Sequence, residues 1–397
     1  MGLHAVRIGL RPGRATGIAA TLILATALLQ LAPVAGEDAP STPWGEPDLQ
    51  GIWTNEYQAP WERPATYADR AFFTEAERAD LDAQRARMLG RDHREERGTE
   101  RDVSGAYNHV FTSVKHASRR TSLISDPSGR FPPLTPEAIK RRDIAAEYRL
   151  ALLQATNTCR NKEIGCRGGT FGPPSPRRTE TPPTFTITRL NRSDGPEDRG
   201  LAERCLSSAL PSTGGYVRMV QSPGSVAILY DVGQGQGWQR NIPITAAPHL
   251  PATIRQWFGD SRARWEGGTL VVDVTNFSPK SAFFEARENL HLVEKWTRLD
   301  ARTMRLEVMI EDPTTWTRPW NVTVEMTRQD EQANRIYYEP RCHEGNMGMA
   351  GMLLGARYDE RAFAEGRGPD PATMDWDTQP EGGAGGGPEN VDPLASR

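Results

Sequence analysis

The sequence predicts a mainly β protein, an antiparallel lipocalin-like barrel or else a sandwich, preceded by a helical and loop-rich region. Three observations carry this expectation. Leu306, Val308 and Ile310 alternate with Arg305, Glu307 and Glu311, and Trp320, Val322, Val324 and Met326 alternate with Asn321, Thr323, Glu325 and Thr327. Such alternation puts one face of a strand on a core and the other in water. Further strand-like runs at 216–221, 225–231, 269–276, 290–298 and 335–341 complete the pattern, with short connections such as Ser222-Pro223-Gly224 and Glu266-Gly267-Gly268. Connections of that length join antiparallel neighbours. Gly (37) and Pro (31) are plentiful, which favours turns over long helices.

In chain order, Arg7, Arg11 and Arg14 precede an apolar run from Ala15 to Leu31 and the small residues Val34-Ala35-Gly36. A basic start, an apolar stretch and a small-residue exit read as a secretory signal peptide over 1–36. Residues 37–182 form the region expected to pack on the barrel, entered by a short strand that carries Trp53 into the core. Thr74-Glu75-Ala76-Glu77 is a capping box that opens a helix over 75–89. Thr135 caps a second helix, with Pro136 at its first position, running to about Gln154. Residues 159–182 read as an irregular linker, 183–357 as the β domain, and 358–397 as a disordered tail rich in Gly, Pro and acid.

Four cysteines follow the signal, and an even count in an oxidising compartment reads as two disulfides. Three connectivities are open; the favoured one is Cys159–Cys166, closing a short loop, and Cys205–Cys342, tying the start of the β domain to its end. The absence of a CxxC pair disfavours a zinc site.

A net charge of −3 offers no electrostatic case for nucleic acid, and no second stretch is apolar enough to span a bilayer once the signal is removed. A small-molecule ligand or substrate is the expected partner, and the oligomeric state is not readable. Gly233-Gln234-Gly235-Gln236-Gly237 opens no helix, His343-Glu344 has no second His four residues on, and no GxSxG elbow exists. No cofactor and no metal are expected, although converging strands could bring His249, His291 and His343 together.

Three polar segments are candidates for chemistry. His249, Trp257, Asp260, Arg262 and Arg264 interleave aromatic and charged side chains just before a strand, as a pocket wall or an ion-paired corner does. In 288-ENLHLVEKW-296, a period of two sends either His291 or Glu294 into an apolar interior, depending on register. Cys342-His343-Glu344-Gly345-Asn346 places functional groups beside a cross-link that holds them still. The expected roles are His291 or His343 as base, and Asp260 or Glu344 as its orienter, with Glu294 a further catalytic carboxylate. Arg262 or Arg264 would stabilise developing negative charge. His249, Trp257, Asn276 and Asn346 would contact substrate, all within one cavity.

The phrases PDLQGIWTN, SDPSGRFPPLTPEA, HLPATIRQWFGDSRARWEGGTLVVDVTNF, ENLHLVEKWTR, DPTTWTRPW and CHEGNMGM together resemble a large family of exported proteins of soil and environmental bacteria. The likeness runs over most of residues 45–357 and implies export and a shared β domain, with no activity, cofactor or catalytic residue attached to it. The expected function is therefore read from the residues. It is an exported enzyme, a hydrolase, lyase or isomerase, that acts on a small, partly apolar molecule by metal-independent general acid–base catalysis. The alternative is a periplasmic carrier of a lipophilic ligand.

Overall fold

The computed structural model describes residues 40–55, 59–89, 116–185, 189–201, 203–206, 209–213, 216–231, 237–329 and 347–375. The 1–36 segment expected to be a signal peptide, the 335–341 run and Cys342, His343, Glu344 and Asn346 lie outside the described residues.

Nine strands form one sheet. They are β1 (Gly51–Asn55), β2 (Tyr216–Ser222), β3 (Ser225–Asp231), β4 (Gly237–Pro243), β5 (Asp260–Glu266), β6 (Thr269–Thr275), β7 (His291–Arg298), β8 (Thr303–Glu311) and β9 (Trp320–Arg328). The order is β4-β3-β2-β1-β9-β8-β7-β6-β5, and each strand runs antiparallel to its neighbours in this order. An odd number of alternating strands leaves the two edge strands pointing the same way. The bridge that nearly closes the barrel, Ile244 to Ala263, is accordingly parallel, and Thr245 N–H donates to Ala263 O at 2.9 Å. The expected antiparallel barrel is thus the observed fold, with a parallel seam between β4 and β5.

Alternation dictates the faces. Ala263, Val272, Glu294, Val308 and Val322 form one cross-strand row pointing inward. Arg262, Asp273, Val293, Met309 and Asn321 form the next row, pointing outward. The interior is filled by one continuous apolar cluster that includes the fully buried Trp53, Trp296 and Trp320.

The sequence expectation missed β4 and β5 for a definite reason. The inward positions of β4 are Trp238, Arg240 and Ile242, and those of β5 include Ser261 and Ala263, so a charge and two small residues break the apolar period.

Helices lie outside the sheet. The Glu75–Leu89 helix, α1, starts with the expected capping box: Thr74 N–H donates to Glu77 at 2.8 Å and Glu77 N–H to Thr74 Oγ1 at 3.2 Å. The Pro136–Leu153 helix, α2, is capped by Thr135, whose Oγ1 accepts from Ala138 N–H and donates to Thr314 O. The expected linker holds a short helix, α3 (Asn157–Arg160), and the Cys159–Cys166 disulfide. Cys205 is also disulfide-bonded. The chain model of loop closure assigns a bridge of this short span about 2–3 kcal/mol. Replacing both Cys159 and Cys166 with Ser should lower the unfolding free energy by that amount in a denaturant titration.

The expected tail needs correction. Helix α4 runs from Met347 to Ala364, a 3-10 turn covers Pro371–Thr373, and Asp375 accepts from Asn157 N–H at 3.1 Å. Alternation and Gly–Pro content signalled the end of the strands but carried no information about this helix. No helix among the described residues is long and apolar enough to cross a membrane.

Candidate functional site

On the outer face, at the end of the barrel where β5 and β7 begin and β6 and β8 end, imidazoles and carboxylates alternate in one chain. His291 and Glu311 are cross-strand partners, Arg262 and Asp273 are another pair, and Asp273 lies diagonally from His291. Diagonal neighbours on one face are within reach of long side chains. The result is a run of contacts across four strands: Arg262 Nη1 to Asp260 Oδ1 (2.8 Å), Asp260 Oδ2 to His249 Nδ1 (2.8 Å), His249 Nε2 to Asp273 Oδ1 (2.9 Å), and Asp273 Oδ2 to His291 Nε2 (3.2 Å). It ends at Glu311, whose Oε2 is 3.5 Å from His291 Nδ1.

His249 is the member supplied by a loop, and that loop is held by side chains. Asp260 accepts Leu250 N–H at 3.0 Å, Asn276 Nδ2 donates to Leu250 O at 2.8 Å, and Arg262 Nε donates to Pro248 O at 3.3 Å. Asn276 does this from a left-handed backbone (φ 57°), a conformation that Asn tolerates better than most residues. Gly259 turns the chain into Asp260 with φ +67°, and a Cβ there would lie 2.6 Å from Thr275 O. Only glycine fits that approach. Gly259→Ala should cost about 1–3 kcal/mol by thermal or denaturant unfolding, and loosen the 248–250 clamp.

Hydrogen-bond stoichiometry constrains the protons. The Asp260 carboxylate accepts from Leu250 N–H, Arg262 and His249, so His249 Nδ1 carries a proton. A second proton is then required between His249 Nε2 and Asp273, on the ring or on the carboxyl. His291 offers Nε2 to the same Asp273, while its Nδ1 makes only a long approach to Glu311. That nitrogen is the one loosely held basic atom of the chain, on a side chain about a third exposed (35%).

A separate polar cluster sits inside the barrel. Glu294, 1% exposed, accepts from Arg240 Nη1 at 2.8 and 2.9 Å and from Trp296 Nε1 at 3.1 Å. Arg240 also donates to Ser261 Oγ at 2.9 Å and to Tyr230 Oη at 3.1 Å. Burial works against the Arg240 charge, but the adjoining Glu294 carboxylate and Tyr230 phenol together outweigh it and hold the guanidinium above its usual range. Burial pushes the Tyr230 phenol up to about 12. The cluster joins β4 to β5 and β7, across the seam where the backbone ladder is thinnest.

Several expectations change. Of the two registers open for β7, the observed one turns Leu292, Glu294 and Trp296 inward. Glu294 is therefore sealed in an ion pair and out of reach of a substrate at the outer chain. Asp260 orients His249, not His291. Arg264 pairs with Glu266 (2.7 Å), outside the chain of contacts. Trp257 lines a shallow recess with Leu210, Phe277 and Leu290. Asn276 holds loop backbone. The acidic and basic groups meet on an outer face, where an enclosed cavity was expected. Among the described residues no cluster of three or more has the geometry to hold a metal.

Asp273 and Arg240 escaped the sequence reading. Asp273 stands in Leu270-Val271-Val272-Asp273-Val274-Thr275, where a lone outward acid in an apolar strand is the available signal. No local pattern marks Arg240, because its partners lie 10, 21 and 54 residues away on other strands.

No family model matches the chain, and comparison with curated proteins gives no match. Among solved structures, similarity is found to a secretary abundant heat soluble (SAHS) protein from Ramazzottius varieornatus, at 9% identity and a TM-score of 0.20. It covers 29% of this chain and 70% of that one. A score so low transfers nothing, and the fold rests on the strand pairing itself.

Proposed function

We propose that this chain is an exported acid–base enzyme whose working group is His291, acting without a metal on a small, partly apolar organic molecule. The observation that carries the reading is the His291–Asp273–His249–Asp260 chain, with one loosely held imidazole nitrogen at its exposed end. A general base needs a carboxylate to fix its tautomer and direction, and Asp273 is placed for that role. His249, Asp260 and Arg262 hold Asp273 in turn. They are positioning residues, while Glu311 flanks the face that a substrate would approach. Hydrolysis, elimination and isomerisation share this requirement.

Export is supported by the N-terminal pattern and by the Cys159–Cys166 disulfide, which persists in an oxidising compartment. The carrier alternative draws less support, because a lipophilic cargo needs space and the described interior is packed with side chains.

The test is a turnover screen of the full chain on activated esters, β-substituted carbonyl compounds and enolisable ketones, with His291→Ala beside the wild type. Turnover by the wild type that disappears in the folded variant is expected. Activity that survives His291→Ala unchanged removes the proposal.

A further inference from the structure

We infer that the guanidinium groups of Arg63 and Arg120 form a binding site for a small oxyanion, a carboxylate or a phosphate. Neither residue belongs to the histidine chain or to the interior cluster. Arg63 follows β1 and lies against Gly129, so closely that a Cβ on that glycine would be 2.9 Å from Arg63 Cβ, Cζ and Nε. It is 5% exposed. Its Nη1 donates to Ala68 O at 3.3 Å and to Pro127 O at 3.1 Å, but Nε and Nη2 are buried without an acceptor among the described residues. Those two groups are one edge of the guanidinium, the edge that grips two oxygens of a carboxylate or phosphate in parallel.

Arg120 presents the same deficit. Its Nη2 donates to Ser125 O at 3.3 Å and its Cζ lies 5.0 Å from the Phe72 ring centroid, while Nε is buried and unpartnered. Burial, and after it the charge of Arg63, hold the Arg120 guanidinium below its usual range, with Arg305 adding to the effect. Two of the carboxylates nearby are engaged elsewhere: Glu325 accepts from Arg305 at 2.7 Å, and Glu62 pairs with Arg130 at 3.1 Å.

Among the described residues neither guanidinium has a carboxylate in direct contact, and Glu325 and Glu307 act on Arg120 only from a distance; like charges and unpaired donors held away from water are unfavourable. An oxyanion corrects all three faults together: it neutralises both charges, relieves their repulsion and accepts from the open edge of Arg63. Chloride supplies the charge but not the paired oxygens. Arg120 is only partly buried, so an anion reaches the site from its side.

Thermal unfolding of the full chain in sodium phosphate, sodium acetate and sodium chloride at matched ionic strength tests the site. Phosphate or acetate near saturation should raise Tm by about 2–4 °C over chloride, and Arg63→Gln and Arg120→Gln should each abolish most of that rise. A larger rise in phosphate assigns a tetrahedral ligand, and an equal one in acetate assigns a carboxylate. Equal Tm in all three salts overturns the inference, as does a rise that persists in the variants. If Arg63→Gln does not fold, Arg120→Gln, at a partly exposed position, decides alone.

Discussion

Arg240→Met should lower the unfolding free energy by about 3–5 kcal/mol, the largest stability effect expected of a single substitution here. The change deletes the Nη1 group that donates to both oxygens of Glu294 and leaves a carboxylate with 1% exposure inside an apolar cluster. Trp296 Nε1 is then its only remaining donor in the cluster. Ser261 and Tyr230 lose their guanidinium contact as well, and with it goes the side-chain tie across the β4–β5 seam. Glu294→Leu should cost a similar amount, because it strands the cation instead. The double variant Arg240→Met/Glu294→Leu should recover most of the loss, since well-packed apolar pairs replace buried ion pairs with little or no penalty. Urea unfolding of the four proteins measures this cycle. A single-variant cost below about 1 kcal/mol would mean that water reaches the cluster and that the pair is not sealed.

His291→Ala should lower kcat/KM by about 10²–10⁴-fold on whichever substrate the screen identifies, the usual contribution of a positioned general base. The side chain faces outward and is about a third exposed, so stability should change little. Asp273→Asn tests the same chain from its centre. An amide carries no charge and puts an NH2 donor where one of the two oxygens stood, so His291 loses its orienting charge and the contact on the NH2 side is broken or reversed. The two substitutions act on one unit, and their combined effect should fall well short of the product of the single effects. Asp260→Asn should act more weakly on rate and more strongly on stability, because Asp260 holds the Leu250 backbone and Arg262 in addition to His249. A full multiplicative loss in His291→Ala/Asp273→Asn would mean that the two residues work separately.

How far these groups can be read in advance depends on where their partners lie in the chain. The strands at 303–311 and 320–328 declare themselves because every second residue is apolar, and α1 and α2 because their caps are local. His249, Asp260 and His291 stand out by residue type. Their grouping into one chain of contacts does not, because it depends on a loop folding back over β5 and β6 and on Asp273, an acid with no polar neighbour beside it in its strand. Glu294 is the clearest case. Its own segment permits two registers, and Arg240 on β4, 54 residues earlier, makes burial of the carboxylate tolerable.

By itself the sequence determined the β class of the domain and the capped helices, and it favoured a short cystine loop among three possible pairings, since each depends on residues within a few positions of one another. Only the tertiary structure decided that nine strands meet in a parallel seam, that the acid–imidazole chain faces outward, and that an arginine answers the buried glutamate. Those outcomes turn on which strands become neighbours, and strand pairing is set by the packing of the whole interior against its solvent-facing side.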